Sequence, residues 1–268
     1  MAYEILKSTL VSCIFVGFAY LPKPKQCPSN MPYESFEAWN TTKAAVYATL
    51  INLVVHLLTD SDLFYNNFIP NFDSSAIIYA MLLPIVMNTI LFFGEWVQFF
   101  GSKTRDFREF IEDIFQHTEN MVKFKFYISA PAVEEICYRG IILNLFLNSG
   151  DYTVTQSILI SPLFFSVSHL HHIIKAMNED SDILKREIAQ RIFQAGFTWL
   201  FGVYSGFIYI SSGGYLLAPI ILHSYCNLIQ IPHLGICFSS DTEPILRKIL
   251  LGSYIIGIAV FFCLAFQL

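Results

Sequence analysis

Residues 130–146 read APAVEEICYRGIILNLF, with Glu134, Glu135 and Arg139 set in an otherwise apolar run. An ionised side chain at the centre of a bilayer costs about 2.5–3.5 kcal/mol on insertion scales, so charges of this kind face a bundle interior and have partners there. The rest of the chain decides that a bilayer is the relevant solvent. Of 268 residues, 54% are hydrophobic and 14% charged, and the mean hydropathy is +0.52, outside the usual range of a soluble domain. Around the quoted stretch lie eight apolar segments, at about 5–21, 39–58, 75–100, 126–147, 152–171, 192–211, 215–232 and 245–268. Each is near the ~20 residues that cross ~30 Å of hydrocarbon. The expected fold class is all-α, a polytopic integral membrane protein forming one membrane domain over 1–268. The first segment is followed by YLPKPKQ, with no small-residue cleavage site, and is expected to be a retained anchor.

Lys and Arg give an orientation, because cytosolic loops collect them. Fourteen of the sixteen fall in or beside the first, third, fifth and seventh loops, leaving Lys7 near the amino end and Arg139 inside the fourth segment. The odd-numbered loops are therefore expected to be cytosolic and both termini non-cytosolic. The net charge of −5 and short, mixed loops offer no basic stripe, which excludes nucleic acid as a partner. Six scattered cysteines without CxxC spacing indicate neither a disulfide framework nor a zinc ribbon. In the polar stretch 101–125, Phe107, Phe110, Ile111, Ile114 and Phe115 share one helical face. An interfacial helix and a solvated connector fit that stretch equally well.

Glu135 and Arg139 are four apart with the acid nearer the amino end, the favoured order for an ion pair within a helix. Glu134 is rotated from Glu135 by roughly 100° and points elsewhere. It reads as the functional carboxylate, with the pair as its support. Candidate partners are His169, near the end of the fifth segment, and His223 with Asn227, four apart on the seventh. At about 1.5 Å per residue, Glu134 lies roughly 12 Å, His169 a few Å, Asn227 roughly 8 Å and His223 roughly 14 Å from the cytosolic ends of their segments. Overlapping depth suits hydrolysis, with Glu134 and His169 activating water and His223 and Asn227 donating to an oxyanion.

The motifs EExxxR at Glu134 to Arg139, FxxxH at Phe165 to His169 and HxxxN at His223 to Asn227, in that order on three segments, resemble those of the Ras-converting CaaX prenyl endopeptidases. The similarity is closest to their eukaryotic branch. It covers a motif-bearing core of about 122–235. The resemblance implies eight transmembrane helices around a cytosol-facing cavity in the endoplasmic reticulum membrane. It implies removal of the last three residues of prenylated CaaX proteins, such as Ras-like small GTPases, without a cofactor. It also implies catalytic roles for Glu134, His169, His223 and Asn227, with Glu135 and Arg139 supporting.

Other chemistries fit some of these residues. A thiol nucleophile at Cys137 would sit beside two acids, a poor setting for a thiolate. Glu134, His169 and His223 have the right donor atoms for zinc, but no HExxH helix is present, and no metal is expected. Intramembrane Glu, His and Arg also mark transporters, and a noncatalytic membrane adaptor is a third class. Two similar halves with broken helices, typical of coupled transporters, are not visible in the sequence. His56 and Glu95 are read as interfacial or packing residues, and the many Phe and Tyr residues as helix packing or interface belts.

Overall fold

In the computed structural model, described for residues 1–268 apart from 19, 22–26, 29–30, 69–72, 102–119, 174–180, 231, 233 and 241, the described residues form helices and connections with no strand. The helices are α1 (Ala2–Phe18), α2 (Tyr33–Thr59), α3 (Ser61–Phe68), α4 (Ser74–Leu91) and α5 (Phe93–Gly101). A long helix α6 then runs from Asn120–Phe124 through to Asn144–Asn148. It is followed by α7 (Val154–Ser168), α8 (Ser181–Ser211), α9 (Leu217–Ile229) and α10 (Pro244–Ala265). Each of the eight expected segments falls on helix. The third is divided at Phe92 into α4 and α5, and the fifth ends in a short 3-10 turn, His169–His172. The stretch carrying Phe107, Phe110, Ile111, Ile114 and Phe115 lies outside the described residues.

Among the described residues, α2, α4 and α10 are each long and apolar enough to cross a membrane. Their polarity is inverted relative to a soluble bundle. Leu82, Ile85, Ile255 and Phe262 point outward, whereas Asn52, Asn88, Glu95, Glu135 and Ser205 have no exposed surface. Where the solvent is hydrocarbon, an outward Leu costs nothing and an unpartnered polar group costs several kcal/mol, so polar side chains turn inward. The chain is a polytopic membrane protein.

The helices extend beyond the apolar segments where charge allows. The first turns of α8 carry Lys185, Arg186 and Glu187, and the Arg191 Nε donates to Glu187 at 2.7 Å, a wet amino-terminal end on an otherwise apolar helix. Lys43, inside α2, lies 5.4 Å from the centre of the Trp39 ring. Helix α9 stops at Gln230, whose φ of 65° and ψ of −162° turn the backbone out of the helix, and Pro232 prevents its resumption.

Close approaches set the packing. Pro162, inside α7, has no amide hydrogen to donate, and a Cβ added at Gly202 of α8 would lie 2.4 Å from its Cβ. A Cβ at Gly257 of α10 would lie 2.6 Å from the Ile90 carbonyl oxygen, at the break between α4 and α5. Glycine at these positions lets backbones approach as small residues do throughout membrane bundles. His56 and Glu95 are packing residues and not interfacial ones, since both are fully buried. Glu95 accepts from Tyr254 at 2.8 Å, and the His56 Nδ1 is 3.2 Å from the Lys7 Nζ, which also meets Asp60.

Candidate active site

The site is built on α6, which is not a uniform α-helix. Its Ala130–Glu135 stretch is flanked by two π-helical stretches, Lys125–Ser129 and Ile136–Leu143. A π turn shifts backbone bonding from i→i+4 to i→i+5 and leaves carbonyls poorly served; such turns concentrate at functional sites. Asn144 serves them here, its amide donating to the carbonyls of Arg139 and Gly140 at 3.1 Å each while lying 2.8 Å from the Tyr209 hydroxyl on α8.

The expected Glu135–Arg139 pair forms, with Nη1 at 3.0 Å from both carboxylate oxygens. Both residues are buried, and two aromatic faces hold the guanidinium, the rings of Phe165 on α7 at 5.3 Å and Phe201 on α8 at 5.5 Å. Each such cation–π contact contributes about 0.5–2 kcal/mol when desolvated. The pair therefore ties α6 to α7 and α8 as well as closing on itself.

Glu135 does more than its spacing indicates. Its Oε1 accepts from the His223 Nδ1 of α9 at 2.8 Å, and its Oε2 accepts from the Ser205 hydroxyl of α8 at 2.9 Å. The other ring nitrogen of His223, Nε2, lies 3.8 Å from Glu134 Oε2. The two adjacent glutamates thus meet the same imidazole from opposite edges. Glu135 is sealed inside the bundle, whereas the Glu134 side chain retains 22% of its accessible surface. A carboxylate in reach of water is the one suited to a reaction with water.

His169 caps α7, its Nδ1 2.9 Å from the Phe165 carbonyl oxygen. A carbonyl only accepts, so Nδ1 carries the hydrogen and a neutral His169 keeps its lone pair on Nε2. The Phe165 ring pairs with both imidazoles, at 4.9 Å from His169 and 6.4 Å from His223. No direct hydrogen bond joins His169 to Glu134 among the described residues. Asn227, one turn beyond His223, donates through Nδ2 to the Phe126 carbonyl at 2.8 Å, within the first π-helical stretch. The structure brings Glu134, Glu135, Arg139 and His223 into one cluster and sets His169 and Asn227 at its rim, each with one polar atom occupied by backbone.

Cys137 points away, fully buried toward α2, with its sulfur 3.6 Å from the Thr49 hydroxyl and 3.8 Å from the Asn52 amide. Among the described residues, His, Cys, Asp and Glu side chains form no group of three or more able to hold a metal ion. Sequence reasoning missed Ser205 and Phe201. Their signal is present in α8, where Thr198, Gly202, Ser205 and Gly206 are small residues three to four apart, the pattern of a close helix contact.

Residues 121–229 match the family model described as type II CAAX prenyl endopeptidase Rce1-like. The human CAAX prenyl protease 2 is 27% identical over 72% of this chain and 58% of its own length. That of Saccharomyces cerevisiae is 33% identical over 46% of this chain and 40% of its own length. That of Arabidopsis thaliana is 28% identical over 59% of this chain and 51% of its own length. The chain spans about half the length of these curated relatives. No solved structure matches. Through the helices that carry its three motifs, over residues 121–229, the chain is similar to the Rce1-like type II CaaX prenyl endopeptidases.

Proposed function

We propose that the protein is an intramembrane endopeptidase that removes the C-terminal three residues of prenylated CaaX proteins, Ras-like small GTPases among them. Its catalytic groups are Glu134, His169, His223 and Asn227, and it works in the endoplasmic reticulum membrane with the site open to the cytosol. The observation that carries this reading is the meeting of Glu134 with a buried, oriented His223 on the segment matched to the family.

Glu134 takes a proton from water, and the hydroxide adds to the carbonyl carbon of the scissile peptide bond. The lone pair on His169 Nε2 helps to hold the attacking water. The oxyanion accepts hydrogen bonds from protonated His223 Nε2 and from the Asn227 amide, which has a second hydrogen beyond the one given to Phe126. Collapse breaks the C–N bond, and Glu134 returns its proton to the leaving amine.

Burial of the site follows from the substrate. A prenyl chain is worth roughly 0.8 kcal/mol per buried CH₂, so a prenylated tail resides in the bilayer and presents the bonds after its cysteine just below the headgroups. The test is incubation of purified protein, in detergent and in liposomes, with a prenylated CaaX peptide and with the same peptide unprenylated, followed by mass analysis. Release of the intact C-terminal tripeptide is expected, with catalytic efficiency orders of magnitude higher for the prenylated peptide. Comparable cleavage of both in detergent and liposomes would mean that the lipid is not read; no cleavage of either would refute the reading.

A further inference from the structure

Ser205 is a buried hydroxyl deep in α8, eighteen residues before the HxxxN motif, and none of the three motifs contains it. Among the described residues its hydroxyl donates to the Glu135 carboxylate. That carboxylate is also bound by Arg139 and His223, so its two oxygens receive three donors from three helices: α6, α8 and α9. With no exposed surface, Glu135 has no water to replace any of them.

Deepening the endopeptidase reading of the site, on which it rests, we propose that Ser205 is a positioning residue: it fixes the Glu135 carboxylate so that Glu135 holds His223 with the hydrogen on Nδ1 and Nε2 turned toward Glu134. The argument starts from donors and acceptors. Glu135 within a buried ion pair is an acceptor, so at 2.8 Å the Nδ1 of His223 donates. In the neutral imidazole Nε2 then holds only a lone pair and cannot donate to an oxyanion. It becomes a donor by taking a second proton, and Glu134 lies 3.8 Å away. Transfer of one proton from the Glu134 carboxyl to Nε2 leaves a carboxylate able to accept from water and an imidazolium able to donate to the oxyanion. One proton transfer thus prepares both partners, provided the imidazole edge is held in register.

Arg139 cannot fix that register alone. Its Nη1 is equidistant from both carboxylate oxygens, so it leaves the tilt of the carboxylate about the Cγ–Cδ axis weakly defined. Ser205 on Oε2 and His223 on Oε1 define it, and only Ser205 lies on a helix separate from both the acid and the imidazole. The Phe201 ring, one turn before Ser205, packs 4.7 Å from the His223 ring and holds it from the side. Helix α8 therefore supplies both a hydrogen bond and a wall to the imidazole.

The test uses full-length protein in lipid with ¹⁵N-labelled histidine, His223 being assigned by difference against His223→Gln. In the wild type the neutral His223 is expected to show a protonated Nδ1 and an unprotonated Nε2. Ser205→Ala should give a mixture of tautomers and lower kcat on the prenylated peptide roughly 10-fold to 100-fold, with KM within about twofold, the range for loss of an outer orienting partner. Ser205→Thr, which keeps the hydroxyl, should restore both readouts. Should Ser205→Ala not fold, Ser205→Cys, of similar volume and a weaker donor, carries the same expectation. A wild-type His223 protonated on Nε2, or a folded Ser205→Ala with unchanged tautomer and kcat, overturns the proposal. If no variant cleaves the peptide while the tautomer still follows the hydroxyl, the endopeptidase reading fails and the positioning role stands.

Discussion

Replacing Arg139 with methionine tests whether the Glu135 cluster is held by charge or by packing. Methionine fills a similar apolar volume between Phe165 and Phe201 but leaves Glu135, with no exposed surface, without its cation. Removing one partner of a buried ion pair costs about 3–5 kcal/mol, because the remaining charge stays out of water. Loss of two cation–π contacts costs about 1–4 kcal/mol, partly recovered by methionine packing on the same rings. The charge effect is therefore the larger, and the double variant Glu135→Gln/Arg139→Met separates the two. With no charge left buried, it should recover most of what Arg139→Met loses while remaining inactive. Each kcal/mol moves a midpoint roughly 2–4 °C in a chain of this size, so Arg139→Met should fall by about 6–20 °C. Thermal unfolding in detergent can be followed by maleimide-dye labelling of Cys137 and Cys237, which are buried in the fold. A double variant as unstable as Arg139→Met alone would refute the reasoning, since the loss would then come from the aromatic contacts and not from a stranded carboxylate.

Glu134→Ala and His169→Ala should abolish peptide cleavage, Asn227→Ala should cost roughly 10²–10³ in rate, and Cys137→Ala should remain active; a folded but inactive Cys137→Ala, blocked in the parent by thiol reagents, would restore the cysteine mechanism. Glycosylation acceptors inserted into the second and fifth loops should be modified in the second only, and the opposite result would place the site on the wrong side for a cytosolic substrate. Gly202→Ala should destabilise by about 1–3 kcal/mol in the labelling assay, because its Cβ would lie 2.4 Å from Pro162 on the neighbouring helix; an unchanged midpoint would show that α7 and α8 are free to separate. Chelators should leave hydrolysis unchanged, and inhibition reversed by added zinc would bring back the metal reading.

Much of the site was legible because it is local. The Glu135–Arg139 pair follows from four-residue spacing, and the π-helical stretch that begins at Ile136 did not undo it, because Asn144 absorbs the displaced carbonyls. The separation of Glu134 from Glu135 was legible for the same reason. The attachment of His223 to Glu135 was not, because an ion pair that looks neutral and complete within one helix gives no sign of a third partner 88 residues away. Glu95 and His56 were left as interfacial or packing residues, because nearness to segment ends fixes depth and not direction, and their burial decides for packing.

By itself the sequence determined the solvent and the eight segments that fall on helix, since hydrophobic length depends only on residues close in the chain; α3 and the break at Phe92, which hydropathy does not mark, raise the helices among the described residues to ten. It also determined which charges could pair within α6. Only the tertiary structure decided which glutamate is sealed and which is open, which imidazole edge faces each, and that a serine from α8 completes the carboxylate. Those facts depend on rotation of each helix about its own axis. In a bilayer that rotation is fixed by close contacts such as Gly202 on Pro162 and by the need of every buried polar group for a partner, which hydropathy along one segment does not record.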